Sequence, residues 1–130
     1  MTRRLYVIMP VASDPTYRSK RSIVEGVAAA FGLATLFPLD AGSEFNLDVT
    51  LTELRDSDIV MADLSNERPS CYYELGLADA LHKPVFVFAT VGTSIHQLAD
   101  RNSVVYYDGL AALRDRLTDA LAQQSGRTIV

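Results

Sequence analysis

The residue types best suited to chemistry sit in one stretch, DLSNERPSCYYELGLA, residues 63–78. Asp63 closes an apolar run, and Glu74 follows early in a helical pattern, so two carboxylates flank a single loop. A carboxylate in a crevice acts as a nucleophile when ionised and as a general acid or base when its proton can exchange. Glu74 falls within about the first turn of its helix, where the macrodipole favours the ionised form by roughly 0.3–1 kcal/mol. A second reading stays open on these residues alone: Asp63 caps a turn and Glu74 satisfies the amides at the helix start. Gly76 costs a helix interior about 1 kcal/mol relative to Ala, which close backbone approach to a sheet or a partner subunit would explain. Other reactive side chains are scarce. Cys71 has no histidine placed to activate it and reads as a small residue at a helix start. His82, before Lys83 and Pro84, reads as a helix end. One cysteine and two histidines exclude a disulfide framework and a cysteine-based zinc cluster. No metal and no redox cofactor are therefore expected, and carboxylates remain as the chemical tools.

The elements that must position these groups follow from periodicity. Residues 5–10 form a short β-branched and aromatic run, a first strand ending at Pro10. Helical spacing runs from Thr16 to Phe31, with Ile23, Val27, Ala30 and Phe31 on one face, and Gly32 suits the C-terminal cap. Residues 34–37 read as a second strand, residues 40–44 as a mobile loop, and residues 47–57 as a short helix with Leu47, Leu51 and Leu54 together. Residues 58–63 are apolar between their ends, the pattern of a parallel strand covered on both faces. A helix is expected from about Ser70 to His82, strands over 85–89 and 104–107, a helical turn around 95–98, and a closing helix over 110–123. Strands alternating with helices imply an α/β domain, a doubly wound five-stranded parallel sheet of flavodoxin or Rossmann type with helices on both faces. Residues 1–123 form the single domain and 124–130 a flexible tail. Ligands of such folds sit beyond the carboxyl ends of the strands, at the switch point of strand order. Asp63 and Glu74 belong there.

With 130 residues, and 12 Lys+Arg against 16 Asp+Glu, the chain has a net charge of −4 and no basic run beyond short pairs. That excludes a nucleic-acid polymer as partner. The N-terminal apolar run is too short for a membrane span and lacks a cleavage site, so neither membrane nor export is expected, and a cytoplasmic location follows.

The segment IVMADLSNERPSCYYELGLADALHKPVFVFA, residues 59–89, resembles the signature of the nucleoside 2-deoxyribosyltransferase-like superfamily, with YVIMPV (6–11) and DRNSVVYYD (100–108) resembling its opening and closing strands. The superfamily includes nucleotide N-glycosidases and is distant kin of Toll/interleukin-receptor-like NAD glycohydrolases. The resemblance implies that Glu74 of the YELG motif is the nucleophile, that Asp63 handles the departing base, and that Tyr73 or Tyr6 orients the glutamate. With the strand-end rule, it places substrate contacts at Tyr6, Pro10, Ser13, Ser65, Ser70 and Asp48. The phosphate-binding arginine of relatives is missing near Ala12. Arg18, Lys20 or Arg21 would have to replace it, or else they coat a solvent-facing helix. An acid that relatives carry ahead of the third strand falls near Thr50, with Asp48 adjacent. The implied activity is cleavage or transfer at the N-glycosidic bond of a nucleoside or nucleoside 5′-monophosphate. The alternatives are NAD cleavage and a non-catalytic nucleotide-sensing module. A small-molecule nucleoside or nucleotide is the implied partner, in a homo-oligomer whose neighbouring subunit completes the site, with contacts expected around residues 75–81 and 95–102.

Overall fold

The computed structural model describes residues 3–10, 14–38, 46–96 and 103–128, with side chains described as far as residue 124. Ser13, the loop at 40–44 and the second half of the turn expected at 95–98 lie outside the described residues. The chain order is β1 (Arg3–Ile8), α1 (Tyr17–Ala30), β2 (Leu33–Leu36), α2 (Leu47–Arg55), β3 (Ile59–Asp63), α3 (Pro69–Ala80), β4 (Val85–Thr90), β5 (Val105–Tyr107) and α4 (Leu110–Thr128). All pairings are parallel and the strand order is β2-β1-β3-β4-β5. The fold is therefore a doubly wound α/β sheet, with α4 running past Gln123 to Thr128.

The period of two along each strand divides the core between two layers. Leu5 and Val7 of β1 and Met9 just beyond it, with Ile59 and Met61 of β3, pack under α1 and α4 against Val24, Ala28, Leu113 and Leu117. Tyr6, Ile8, Val60 and Ala62 face the other way, against Leu54 of α2 and Cys71, Leu75 and Ala78 of α3. Every residue of β3 is buried, which explains its uninterrupted apolar sequence. Register pairs Tyr6 with Val60 and Ile8 with Ala62, so the ends of β1 and β3 lie side by side at the point where strand order reverses.

Helix boundaries follow local chemistry. Asn46 caps α2 by accepting the Val49 N–H at 3.1 Å, and Pro69 opens α3 where its missing N–H costs nothing. Gly32 takes φ +73 after α1, as expected of a C-terminal glycine. His82 takes φ +56 without being glycine; its N–H and that of Lys83 bond the Asp79 and Ala78 carbonyls and close α3.

Three expectations are corrected. The buried stripe of α1 is Tyr17, Lys20, Val24, Val27 and Ala28, so Ala30 is exposed and Lys20, expected among solvent-facing cations, lies inside. Leu47 does not join the buried face of α2; it is exposed, while Leu54 is covered. Gly76 makes no close approach within the chain, since a Cβ built there would meet nothing within 4 Å among the described residues.

Candidate functional site

Two clusters of polar side chains occupy the carboxyl edge of the sheet, one on each face. On the α2/α3 face Tyr6 donates its phenolic O–H to Glu74 Oε2 at 2.7 Å, with both side chains buried. Glu74 is the sixth residue of α3, past its first turn, so the helix terminus does not set its ionisation. Burial instead raises its pKa above the usual carboxylate range; the Tyr6 hydrogen bond opposes this and the Glu53 carboxylate adds to it. Burial and the Glu74 charge hold the Tyr6 phenol well above its ordinary range, so it keeps its proton.

The second cluster lies on the α1/α4 face, because Asp63 follows Ile59 and Met61 in the strand alternation. Asp63 is fully buried. Its Oδ1 accepts the Ser65 N–H at 3.0 Å and the Ser65 hydroxyl, and its Oδ2 accepts the Tyr107 O–H at 2.5 Å. The Lys20 ammonium stands 3.4 Å from Asp63 Oδ2 and 2.6 Å from Asp14 Oδ2. Burial works against the lysine charge, yet the Asp63 carboxylate and the bonds to Asp14 and Tyr107 outweigh it and hold the ammonium above its usual range. Burial likewise opposes the Asp14 charge, but hydrogen bonds from Lys20 and Thr16 hold its carboxyl below the ordinary value. Burial and the Asp63 charge push Tyr107 up to about 12. Ser65 Oγ also accepts the Thr90 N–H at 3.0 Å, which ties the end of β3 to the end of β4. A cavity of about 240 Å³ borders this network, lined by Asp14, Lys20, Ser65, Thr90 and Tyr107 among others.

Between the clusters runs the loop from β3 to α3. Glu67 adopts φ +44, a strained conformation for a residue with a Cβ, and is held there by its hydrogen bonds. It accepts the Tyr72 O–H at 2.6 Å and the His96 N–H at 2.9 Å, and its Oε2 lies 2.8 Å from His96 Nδ1. The Tyr72 bond, with those from His96, lowers the Glu67 pKa to about 2.

The sequence-derived site residues separate accordingly. Tyr6 and Glu74 are brought into direct contact, whereas Tyr73 is half exposed on the outer side of α3. Asp63 is not brought to Glu74, and among the described residues no hydrogen bond or ion pair joins them. Pro10 is buried just after β1, and Ser65 is part-buried and engaged with Asp63. Ser70 and Asp48 are exposed in the first turns of α3 and α2. Lys20 is committed to two carboxylates, and Arg21 lies 3.6 Å from Glu25 and over the Phe37 ring, so neither offers an unshared charge to a phosphate. Cys71 is buried with its thiol pushed up to about 12 by burial and the charges of Glu74 and Asp63, which removes it as a nucleophile. Sequence reading missed Glu53. It lies three residues beyond the buried Thr50, hence on the same side of α2, and a helical count from Thr50 finds it.

Among solved structures, the chain is similar to the Clostridium botulinum CMP N-glycosidase BcmB, with a TM-score of 0.66 and 12% identity over 88% of this chain and 98% of that one. It is also similar to a 2-desoxiribosyltransferase from Leishmania mexicana, with a TM-score of 0.62 and 20% identity over 90% and 97% of the two chains. The chain shares its fold with both proteins. No family model and no curated protein matches the sequence. A Francisella novicida lysine decarboxylase, LdcF, contains a similar segment, with a TM-score of 0.56 and 16% identity over 95% of this chain and 17% of that one, so the fold alone does not fix an activity, which must be argued from side chains. Among the described residues, no helix is long and apolar enough to cross a membrane.

Proposed function

We propose that the protein cleaves or transfers at the N-glycosidic bond of a nucleoside or nucleotide, with Glu74 as the nucleophile. The observation that carries this reading is the buried Tyr6–Glu74 pair at the reversal of strand order. Loss of a base from an anomeric carbon builds oxocarbenium character, and an aligned carboxylate stabilises or traps it. Tyr6 holds Oε2 and fixes the rotamer of Glu74, which leaves Oε1 to face the anomeric carbon. Water then releases the sugar, or a second base accepts it. The fold shared with an N-glycosidase and a deoxyribosyltransferase supports the same reading. In this scheme Asp63 is a positioning residue: it orders Ser65, Lys20 and Tyr107, and through Ser65 the loop that leads into α3.

Exposed Leu47, Val49 and Tyr73, together with the open flank of Gly76, support pairing of two copies over the α2/α3 face, where a neighbour can wall the Glu74 side. The test of activity is a panel of nucleosides, 5′-monophosphates and NAD, with free base followed by chromatography. Release that disappears in Glu74→Gln is expected, and base exchange with an added purine identifies transfer. Ligand binding without any release would return the protein to the class of nucleotide sensors.

A further inference from the structure

The flank of α3 turned away from Glu74 carries a separate group of side chains. Each residue turns a helix by about 100°, so Tyr72 and Glu74 stand about 200° apart, on either side of the buried stripe of Cys71, Leu75 and Ala78. Glu74 meets Tyr6 of β1, whereas Tyr72 meets Glu67 of the preceding loop and, through it, His96 beyond β4. In the sheet β1 and β4 lie on opposite sides of β3, so the two groups diverge. Glu67, Pro69, Tyr72 and His96 line a cavity of about 490 Å³, inside the roughly 300–1,000 Å³ of small-molecule sites. Three of these residues carry rings, whose flat apolar surfaces suit a planar ligand. The fourth supplies a fixed acceptor. Glu67 is held at φ +44, and its Oε1 accepts from both the Tyr72 hydroxyl and the His96 N–H, which uses its two lone pairs. Among the described residues Oε2 pairs with His96 Nδ1 alone, which leaves it a lone pair for one further donor. With its pKa lowered to about 2 by the Tyr72 bond and those from His96, Glu67 is an acceptor at neutral pH.

We infer that this cavity is a second binding site, for an amino-bearing nucleobase that lies against Tyr72, Pro69 and His96 and donates its exocyclic N–H to Glu67 Oε2. The rings supply contact area that any base face can use, and the carboxylate selects those with a donor at the edge. A base held there is bound and not transformed, since the site lies on the other flank of α3 from Glu74. Its occupancy does not depend on the chemistry proposed for Glu74. The ligand also bridges the loop at 64–68 to the segment that ends at His96, so it should raise the melting temperature of the protein.

The deciding experiment titrates the full chain with 9-methyladenine, followed by amide NMR and calorimetry. This probe has no glycosidic bond to cleave, and its 6-amino group is its one N–H donor. Saturable binding with shifts at Glu67, Tyr72 and His96 is expected. His96→Ala and Tyr72→Ala should each weaken it by about fivefold or more, the lower end for a lost base–aromatic stack. His96 is exposed, so its variant keeps the fold even where Tyr72→Ala does not. The 6-dimethylamino analogue, without the donor, should bind about tenfold or more weakly, the order of a lost hydrogen bond to a charged group. Glu74→Gln should bind the probe as the parent does. Adenine and adenosine titrated into Glu74→Gln then tell the free base from the nucleoside as the natural occupant. Absence of saturable shifts at these amides overturns the inference, and so does equal binding of the dimethylamino analogue. Binding abolished by Glu74→Gln and unchanged in His96→Ala also overturns it, by placing the base in the Glu74 crevice. None of these results bears on N-glycosidic cleavage, which the release of base tests separately.

Discussion

At the scale of single residues, Glu74 keeps its fold at an electrostatic disadvantage. Its folded pKa lies above the 4.5 of the unfolded chain because burial penalises the carboxylate. Between those values the native state holds the additional proton. The contribution of Glu74 to stability is thus fully present below 4.5 and is lost as pH rises through the folded value. Glu74→Gln should therefore be more stable than the parent at pH 8 by the ~0.5–2 kcal/mol typical of a single stabilising change, with a smaller gain at pH 4. Urea unfolding at the two pH values checks this, and a less stable variant at pH 8 would remove the argument from burial. The neighbours of Glu74 predict opposite shifts in activity. Tyr6→Phe deletes the bond that lowers the Glu74 pKa, so the acid limb of kcat/KM moves to higher pH. Glu53→Gln removes the charge that raises it, so that limb moves to lower pH. Shifts of equal sign would mean that the limb belongs to another group.

At the scale of elements, Lys20 and Asp63 connect α1 to the end of β3. Replacing Lys20 by Met leaves Asp14 and Asp63 facing each other, both buried, without a cation. Removing one partner of a buried ion pair costs about 3–5 kcal/mol, and the adjoining cavity places this case near 3. Chemical denaturation of Lys20→Met should show that loss, and a change below about 1 kcal/mol, the worth of an exposed pair, would mean that water reaches the network freely. The same network marks where sequence reading stops. The order of strands and helices was legible because each strand is a short apolar run and each helix carries its own period; residues 58–63 read as a strand covered on both faces, and Ile59–Asp63 form one that is buried throughout. The side of the sheet on which Asp63 falls was not legible, because a strand apolar on both faces carries no alternation that tells one face from the other. Its partners were not legible either, since Lys20 and Tyr107 come from α1 and β5 and meet Asp63 only when the sheet closes. By type, lysine reads as a solvated residue, and only two carboxylates, Asp14 from the loop before α1 and Asp63 from the end of β3, make its burial favourable. The Tyr6–Glu74 contact likewise spans two elements, although the residues that form it were singled out from sequence.

At the scale of the whole molecule, the described residues form one five-stranded sheet with its helices, and a second copy can wall the crevice above β1 and β3. The α2/α3 side carries exposed apolar residues: Leu47 and Val49 stand 42% and 52% exposed at the start of α2, and Tyr73 stands 51% exposed on α3, next to the glutamate proposed as the nucleophile. Gly76, one turn on from Tyr73, leaves room for another backbone to approach, which accounts for a glycine whose place in a helix costs about 1 kcal/mol. Interfaces that hold dimers together are depleted of charge and enriched in aromatic residues at their centre. Light scattering at micromolar concentration should therefore give at least twice the mass of one chain. The pair Val49→Glu and Tyr73→Glu buries two unpaired charges in such an interface and should return the mass to that of a monomer. Both positions are exposed in the single chain, so the secondary structure seen by circular dichroism should be kept. Coupling to the site makes the experiment sharper: if the neighbour excludes water from Glu74, base exchange with an added purine falls in the dissociated variant more than hydrolysis does. A parent protein that scatters as a monomer overturns self-association, and a dissociated variant with an unchanged ratio of transfer to hydrolysis places the second wall of the site within the chain itself.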